Sequence, residues 1–239
     1  MAEEMEIIDK IISDIHSGRY EANDKLPSEN ELADYFNVPR MTIRKIYERL
    51  QEMGYIYSRQ GKGSYVKDRQ MQIPLVLSGD ESFSRKMIRL GHHFRSKNIF
   101  CEEIGYNKAI FHSLGVEETD RVFKIGRLRI VNNRPIALHI SYVAKSVFDD
   151  IDLYGKEITS MFDYYQKKGF TEFESKSSVL KVLFPTKFLW EILECTSLIP
   201  LLVLETGCID KKTGTVLEHT EIFYRSDCFN FVTVDEQNH

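Results

Sequence analysis

Cysteine is sparse in this chain, and long apolar runs are missing. Of 239 residues only four are cysteines, Cys101, Cys195, Cys208 and Cys228. None falls in a C-x-x-C pair or has a histidine at zinc-finger spacing, so no metal site is indicated. Reduced, mostly buried thiols are expected, because cysteine is among the most buried residue types even without a chemical task. No stretch approaches the roughly 18 to 20 apolar residues that span a bilayer. Met1-Ala2-Glu3-Glu4 lacks the basic and apolar regions of a signal peptide. A cytoplasmic chain without a membrane partner is the expectation. The sequence also lacks a phosphate loop, metal spacing and a nucleophile, base and orienter in register, so neither a cofactor nor catalysis is expected.

What is present is ordinary in bulk and uneven in detail. A composition 42% hydrophobic and 28% charged fits a globular protein, and 239 residues exceed a typical domain. Two domains follow as the expectation. The formal net charge is −4, but residues 1–39 carry −7 and residues 40–67 carry +5. Across 69–239, 22 bases meet 23 acids. The positive charge is therefore local, as a surface that releases counterions from DNA requires.

The basic segment has a readable scaffold. Residues 5–17 place Met5, Ile8, Ile11, Ile12 and Ile15 at helical spacing, ended by Gly18. Ser28 and Glu31 have the S-x-x-E spacing of a capping box, which opens a helix with Leu32, Ala33 and Phe36 as its apolar stripe. Pro39 breaks that helix and is tolerated in the first turn of the next. The next helix carries Ile43, Ile46, Tyr47, Leu50 and Met53 on one face and stops at Gly54. Its outer face is left with Arg40, Thr42, Arg44, Lys45 and Arg49, side chains that donate to phosphates and guanine edges. Two β-prone runs then flank Gln60-Gly61-Lys62-Gly63. In this hairpin Arg59 and Lys62 are expected to reach phosphate or a minor groove, with Gly61 and Gly63 allowing close backbone approach. A solvated basic helix is the usual meaning of a charge run alone; helix, break, basic helix and basic hairpin in succession favour a DNA-binding unit, with Ser28, Arg40, Thr42, Arg44, Lys45, Arg59, Gly61, Lys62 and Gly63 as its candidate contacts.

These residues carry a resemblance. Leu26-Pro27-Ser28-Glu29-Asn30-Glu31-Leu32-Ala33, Phe36-x-Val38-x-Arg40-x-Thr42-Ile43-Arg44, Leu50-x-x-x-Gly54 and Gly61-x-Gly63-Ser64-Tyr65-Val66 resemble the winged helix-turn-helix of GntR-type bacterial repressors. The resemblance implies that Arg40, Thr42 and Arg44 contact the operator and that a wing glycine, Gly61 or Gly63, approaches the minor groove. Pro39 stands where that family usually has Ser or Thr.

Residues 69–76 are expected to be a linker between a domain at 1–68 and another at 77–239. The second region alternates helical and β-prone stretches: helices at 83–90, 108–114, 147–168 (interrupted by Leu153-Tyr154-Gly155) and 187–194, strands at 99–107, 121–131, 136–143, 173–184, 201–209, 216–225 and 229–234. Asn132-Asn133-Arg134-Pro135 is read as a turn. The fold class is α+β: a winged helix-turn-helix followed by a domain with a mostly antiparallel sheet.

Arg127 and Arg129, two apart, share one face of a strand, and His139, Glu218 and Tyr224 lie on partner strands. Two arginines on one face need an acid or an anion, and either Glu218 or a ligand supplies it. Arg121-Val122-Phe123-Lys124-Ile125-x-Arg127-x-Arg129, Pro135-Ile136-Ala137-x-His139-x-Ser141-Tyr142-Val143 and Gly214-x-Val216-x-Glu218 with Tyr224-Arg225 resemble the UTRA effector-binding domain of the HutC branch of GntR regulators. Its fold is similar to chorismate lyase. The resemblance implies that Ser82, Phe83, Arg127, Arg129, Tyr142, Glu218 and Tyr224 line an effector pocket and that the arginines grip an acidic or phosphorylated group. His139, included in that pocket, replaces a Glu that serves sugar hydroxyls in relatives. Sugar phosphates, phosphonates, organic acids and amino acids are the effector classes in view. A homodimer on a palindromic double-stranded operator, released by a small anion, is the leading reading. A constitutive DNA-binding dimer is the alternative, and an enzyme is disfavoured because no catalytic constellation is visible.

Overall fold

A computed structural model describes residues 2–68, 73–75, 83–175 and 178–231. In the first region, α1 (Ala2–His16), α2 (Glu29–Phe36) and α3 (Arg40–Glu52) precede a two-stranded hairpin, β1 (Ile56–Arg59) and β2 (Gly63–Val66). The capping box forms: Ser28 Oγ accepts from Glu31 N at 3.2 Å, and Ser28 N donates to Glu31 Oε2 at 2.6 Å. Asn37, at φ 53°, closes α2, and Pro39 is the N-cap of α3 without a side-chain bond. Ile43, Ile46, Tyr47 and Leu50 bury the inner face of α3 against Leu32, Ala33, Ile56 and Val66. On α1 the core residues are Ile7, Ile8 and Ile11, whereas Met5 is 54% exposed. Ile12 and Ile15 pack against the same core, so the expected stripe holds with Ile7 in place of Met5. Tyr47 Oη donates to Pro27 O at 2.6 Å and ties α3 to the chain entering α2.

Strand β3 (Ile73–Leu75) pairs in parallel with the last strand, β11 (Phe229–Phe231). Three residues of the expected linker therefore belong to a ladder, a pairing over long sequence distance that the unpatterned segment gives no sign of. Between them lie α4 (Phe83–Arg89), β4 (Phe94–Ile104), α5 (Lys108–Leu114), β5 (Val122–Val131), β6 (Arg134–Ala144), α6 (Ile151–Tyr154), α7 (Met161–Lys167), β7 (Phe173–Ser175), β8 (Val179–Leu183), α8 (Lys187–Ile192), β9 (Leu201–Asp210) and β10 (Val216–Arg225). Strands β4 to β10 form a seven-stranded sheet in the order β4-β5-β6-β10-β9-β7, with β8 also on β9, every pair antiparallel.

Three local expectations change. The β5–β6 turn is only Asn132 and Asn133, at φ 48° and 64°, and Arg134 and Pro135 begin β6 beside a register shift. The segment 173–184 is two short strands, β7 and β8, rather than one. The segment 147–168 is broken beside the expected Leu153-Tyr154-Gly155, into α6, a 3-10 turn at Gly155–Glu157, and α7. Strand β4 starts at Phe94, ahead of the expected 99. The last strand ends at Phe231, and positions 232–234 lie outside the described residues.

Helices pack on both faces of the sheet, leaving β8 exposed. Helices α5 and α8 pack on one, through Phe111 and Leu114 and through Leu189 and Leu193. Helix α4 and the α6–α7 segment pack on the other, through Met87 and through Ile151, Met161 and Tyr165. The four cysteines are free, with Cys208 and Cys228 buried.

Truncating a fully buried side chain of the first core tests this packing. Leu50→Ala is expected to destabilise the first region by about 2–5 kcal/mol, against about 1 kcal/mol for Ser28→Ala, which removes only the cap. Denaturant unfolding of the full chain checks both; equal losses would contradict the packing.

An exposed basic face and a buried arginine face

The outer face of α3 presents Arg40, Arg44, Lys45 and Arg49 to solvent, with Thr42 half-buried. The first turn carries no acid, so the positive end of the helix dipole is left uncompensated. Two acids nevertheless touch the arginines: Arg40 Nε donates to Glu29 Oε2 at 2.8 Å and Arg44 Nε to Glu48 Oε1 at 3.2 Å. Both bonds use Nε and orient the guanidinium forks. In the hairpin Gly61 and Gly63 have φ of +71° and +106°, which explains glycine at both places. Lys62 stands exposed at the tip. Arg59 differs from expectation: its guanidinium lies over the rings of Tyr57 and Tyr65, at 5.4 and 5.1 Å, and Nη2 donates to Tyr57 Oη at 3.2 Å. Its charge is laid along the hairpin face. Ser28 is exposed, with its side chain engaged as the cap of α2.

The second candidate site is on the sheet face covered by α4. Register sets Arg127 opposite His139 and Arg129 opposite Ala137. It sets Ile222 opposite His139, Thr220 opposite Ser141, and Tyr224 opposite Ala137. Arg127, Arg129, His139, Ser141, Glu218, Thr220 and Tyr224 therefore share one face, and all are buried. Arg127 Nη2 donates to Ser141 Oγ. Arg129 Nη1 donates to Ser96 Oγ at 2.7 Å and to Thr159 O at 3.1 Å. The Arg129 guanidinium also lies over the rings of Phe83 and Phe94, at 5.7 and 6.0 Å. Phe83 meets His139 edge-on at 5.1 Å, and Tyr224 packs against Phe229 at 4.9 Å.

This face is under-satisfied. Arg127 Nε, Arg129 Nε, His139 Nε2, Glu218 Oε2 and Thr220 Oγ1 are buried without a hydrogen-bond partner among the described residues. Burial lowers the pKa of Arg127, and burial followed by the Arg127 charge lowers that of Arg129 further. Burial, then Arg129 and Arg127, hold His139 well below its ordinary value, so its imidazole is neutral. Burial, then Glu218, pushes the Tyr165 hydroxyl well up. One oxygen of Glu218 is itself unpartnered, so that carboxylate does not saturate the two guanidiniums. Such a face is costly in an apolar interior. It holds donors for an anion beside an acceptor for a hydroxyl or ammonium group.

Of the residues expected in the pocket, Phe83, Arg127, Arg129, His139, Glu218 and Tyr224 meet here, and Ser82 lies outside the described residues. Tyr142 does not belong. It sits on the opposite face, packed with Phe111, Leu114 and Val122, and its hydroxyl donates to Glu221 Oε2 at 2.8 Å. Strand parity is the reason, since position 142 is three from 139 and alternate residues change face. The same parity points to Ser141 and Thr220, which the sequence reading omitted. Ser96 carries no such signal, because it lies ahead of the 99–107 stretch that reads as a strand.

The depressed His139 value has a pH consequence. The unfolded chain takes up a proton near the ordinary 6.5, while the buried imidazole resists it, so stability is complete above that value and falls as pH drops. Thermal unfolding between pH 7.5 and 5.5 is expected to lose stability at a limiting slope of about 1.4 kcal/mol per pH unit from this group. His139→Gln should flatten the profile, and an unchanged slope would refute the assignment.

Comparison with known proteins bears on both faces. The UTRA domain model matches residues 89–230, and that of bacterial regulatory proteins, gntR family, matches residues 4–66. The chain is 27% identical over 232 residues, 96% of this chain and 93% of the relative, to a probable fructoselysine utilization operon transcriptional repressor of Escherichia coli O157:H7. It is 25% identical over 227 residues, 95% of this chain and 92% of the relative, to the HTH-type transcriptional repressor NagR of Bacillus subtilis (strain 168). Its fold is similar to that of PhnF from Mycobacterium smegmatis, with a TM-score of 0.65 at 17% identity, covering 98% of this chain and 99% of that one. Among the described residues no helix is long and apolar enough to cross a membrane. An exposed basic α3 with its hairpin, joined to a sheet domain of this family, makes the chain a member of the gntR family of bacterial regulatory proteins carrying a UTRA domain: a DNA-binding transcription regulator and not an enzyme.

Proposed function

We propose that this regulator is a ligand-released repressor. It acts as a homodimer on a two-fold symmetric operator and leaves it when a small anionic metabolite enters the Arg127 and Arg129 face. The observation that carries the reading is the set of buried, unpartnered polar atoms on that face. An anion supplies acceptors to the two arginine Nε groups, and a hydroxyl or ammonium on the same molecule donates to Glu218 Oε2. The effector is thus a phosphate, phosphonate or carboxylate that also bears a hydrogen-bond donor. The neutral His139 adds no competing charge. Relatives that repress metabolic operons support the repressor half of the reading.

At the DNA end, Arg40, Thr42, Arg44 and Lys45 address the major groove, and Gly61, Lys62 and Gly63 bring the wing to the neighbouring backbone. Arg59 reaches phosphate only by leaving its two tyrosine rings. Two copies of α3 related by a two-fold axis read inverted half-sites about 34–36 Å apart, one helical turn of DNA. To release that DNA the anion must favour the non-binding arrangement by its own differential affinity, typically about 1–3 kcal/mol.

Two measurements check the reading. In a thermal-shift panel of inorganic phosphate, phosphonates, sugar phosphates, dicarboxylates and amino acids, at least one anion is expected to raise the melting temperature of the wild-type chain. Arg129→Met should abolish that rise; a panel with no shift leaves a constitutive DNA binder. In footprinting, Arg44→Ala is expected to weaken specific binding by about 1–3 kcal/mol and relax one position in each half-site. Unaltered protection would remove Arg44 from base reading.

A further inference from the structure

The first region meets the second through a few specific contacts. Lys67, the residue after β2, reaches Asp227 Oδ2 with Nζ at 3.4 Å. Thr196 Oγ1 donates to Glu52 O, one of the last carbonyls of α3, which have no partner inside the helix. Beside it, a Cβ placed on Gly54 would lie 3.3 Å from Ile199 Cδ1, so the end of α3 fits closely against the loop after α8.

Both contacts trace to one buried ion pair. Arg225 donates Nε to Asp227 Oδ1 and Nη2 to Asp227 Oδ2, each at 3.0 Å. Its Nη1 holds Leu193 O at 2.8 Å and Glu194 O at 3.2 Å, the start of the loop that carries Thr196 and Ile199. Arg134 Nη2 adds a bond to Asp227 Oδ2 at 2.6 Å. Lys67 is the longest and most exposed of the three cations on that carboxylate. It can be lost while the two arginines still satisfy Asp227. One residue before Arg225 on β10 is Tyr224, which lines the arginine face against Phe83, His139 and Phe229. A change at that face and the hold on α3 are thus neighbours on a single strand.

We infer that Lys67 with Asp227, and Thr196 with Glu52, form a two-point clamp by which the second region sets the pose of the recognition helix, and that the arginine face acts on DNA through this clamp. The inference rests on the repressor reading above and names its route of regulation. Lys67 and Thr196 are positioning residues. Neither reads a base, and Thr196 belongs to the region without the basic face.

The test uses the full chain and a duplex enriched from random DNA by the wild-type protein. Lys67→Met, Thr196→Val and the double variant are first shown to melt as the wild type does. The double variant is then expected to bind that duplex about tenfold more weakly, with Lys67→Arg restoring wild-type affinity. The slope of log affinity against log salt should stay unchanged. A slope lowered by about one in Lys67→Met would mean that Lys67 neutralises a phosphate, and would overturn the clamp. So would wild-type affinity of the double variant while Arg44→Ala has lost binding. If Arg44→Ala also binds normally, the DNA reading itself fails and takes the clamp with it.

Discussion

A single buried carboxylate, Asp227, organises the junction of this molecule. Burial alone pushes its pKa up, but Arg225, then Arg134 and Lys67, hold it well below the ordinary carboxylate range. Arg225 is nearly inaccessible and still has partners on Nε, Nη1 and Nη2. Its donors reach the carbonyl of Pro135 on β6 and those of Leu193 and Glu194 after α8. One guanidinium therefore fixes the end of β10, the start of β6 and the loop that touches α3. A buried pair with this many bonds repays its desolvation by geometry, and deleting either partner would strand the other.

The same sheet carries arginines in the opposite condition. Arg127 and Arg129 are buried like Arg225, but among the described residues their Nε groups have no acceptor. The contrast separates a saturated arginine from an unsaturated pair, a distinction that burial alone does not make, since all three are inside. What differs is saturation. A face left short of acceptors is stable only because neutral oxygens of Ser96, Ser141 and Thr159 and the rings of Phe83 and Phe94 offset part of the cost.

At the other end, two acids lie against the basic face. Glu29 and Glu48 each take one Nε of an α3 arginine, so the cations are held in defined rotamers at the expense of some of their field. Pro39 gives α3 a fixed entry without a capping side chain. The orientation of α3 is set from below by Tyr47 on Pro27 and from its far end by Thr196. Helix α3 is thus held at its base and left open at its tip.

Local chemistry was legible in the sequence. Residues interacting within a few positions fixed the capping box of Ser28 and Glu31, the apolar face of α3, and the 108–114 extent of α5 with its Gly115 stop, because each is decided by neighbours along the chain. Strand parity also placed Arg127 and Arg129 together, and applied to β6 it would have removed Tyr142 and admitted Ser141. The partners of those arginines were another matter. Whether Glu218 saturates them, whether Arg59 points outward or lies on Tyr57 and Tyr65, and that residues 73–75 join the last strand all depend on distances between segments far apart in sequence. Composition, periodicity and capping determined the elements and the sign of each face; only the packing of those elements decided which charges are paired, because pairing is a property of three-dimensional distance and not of order along the chain.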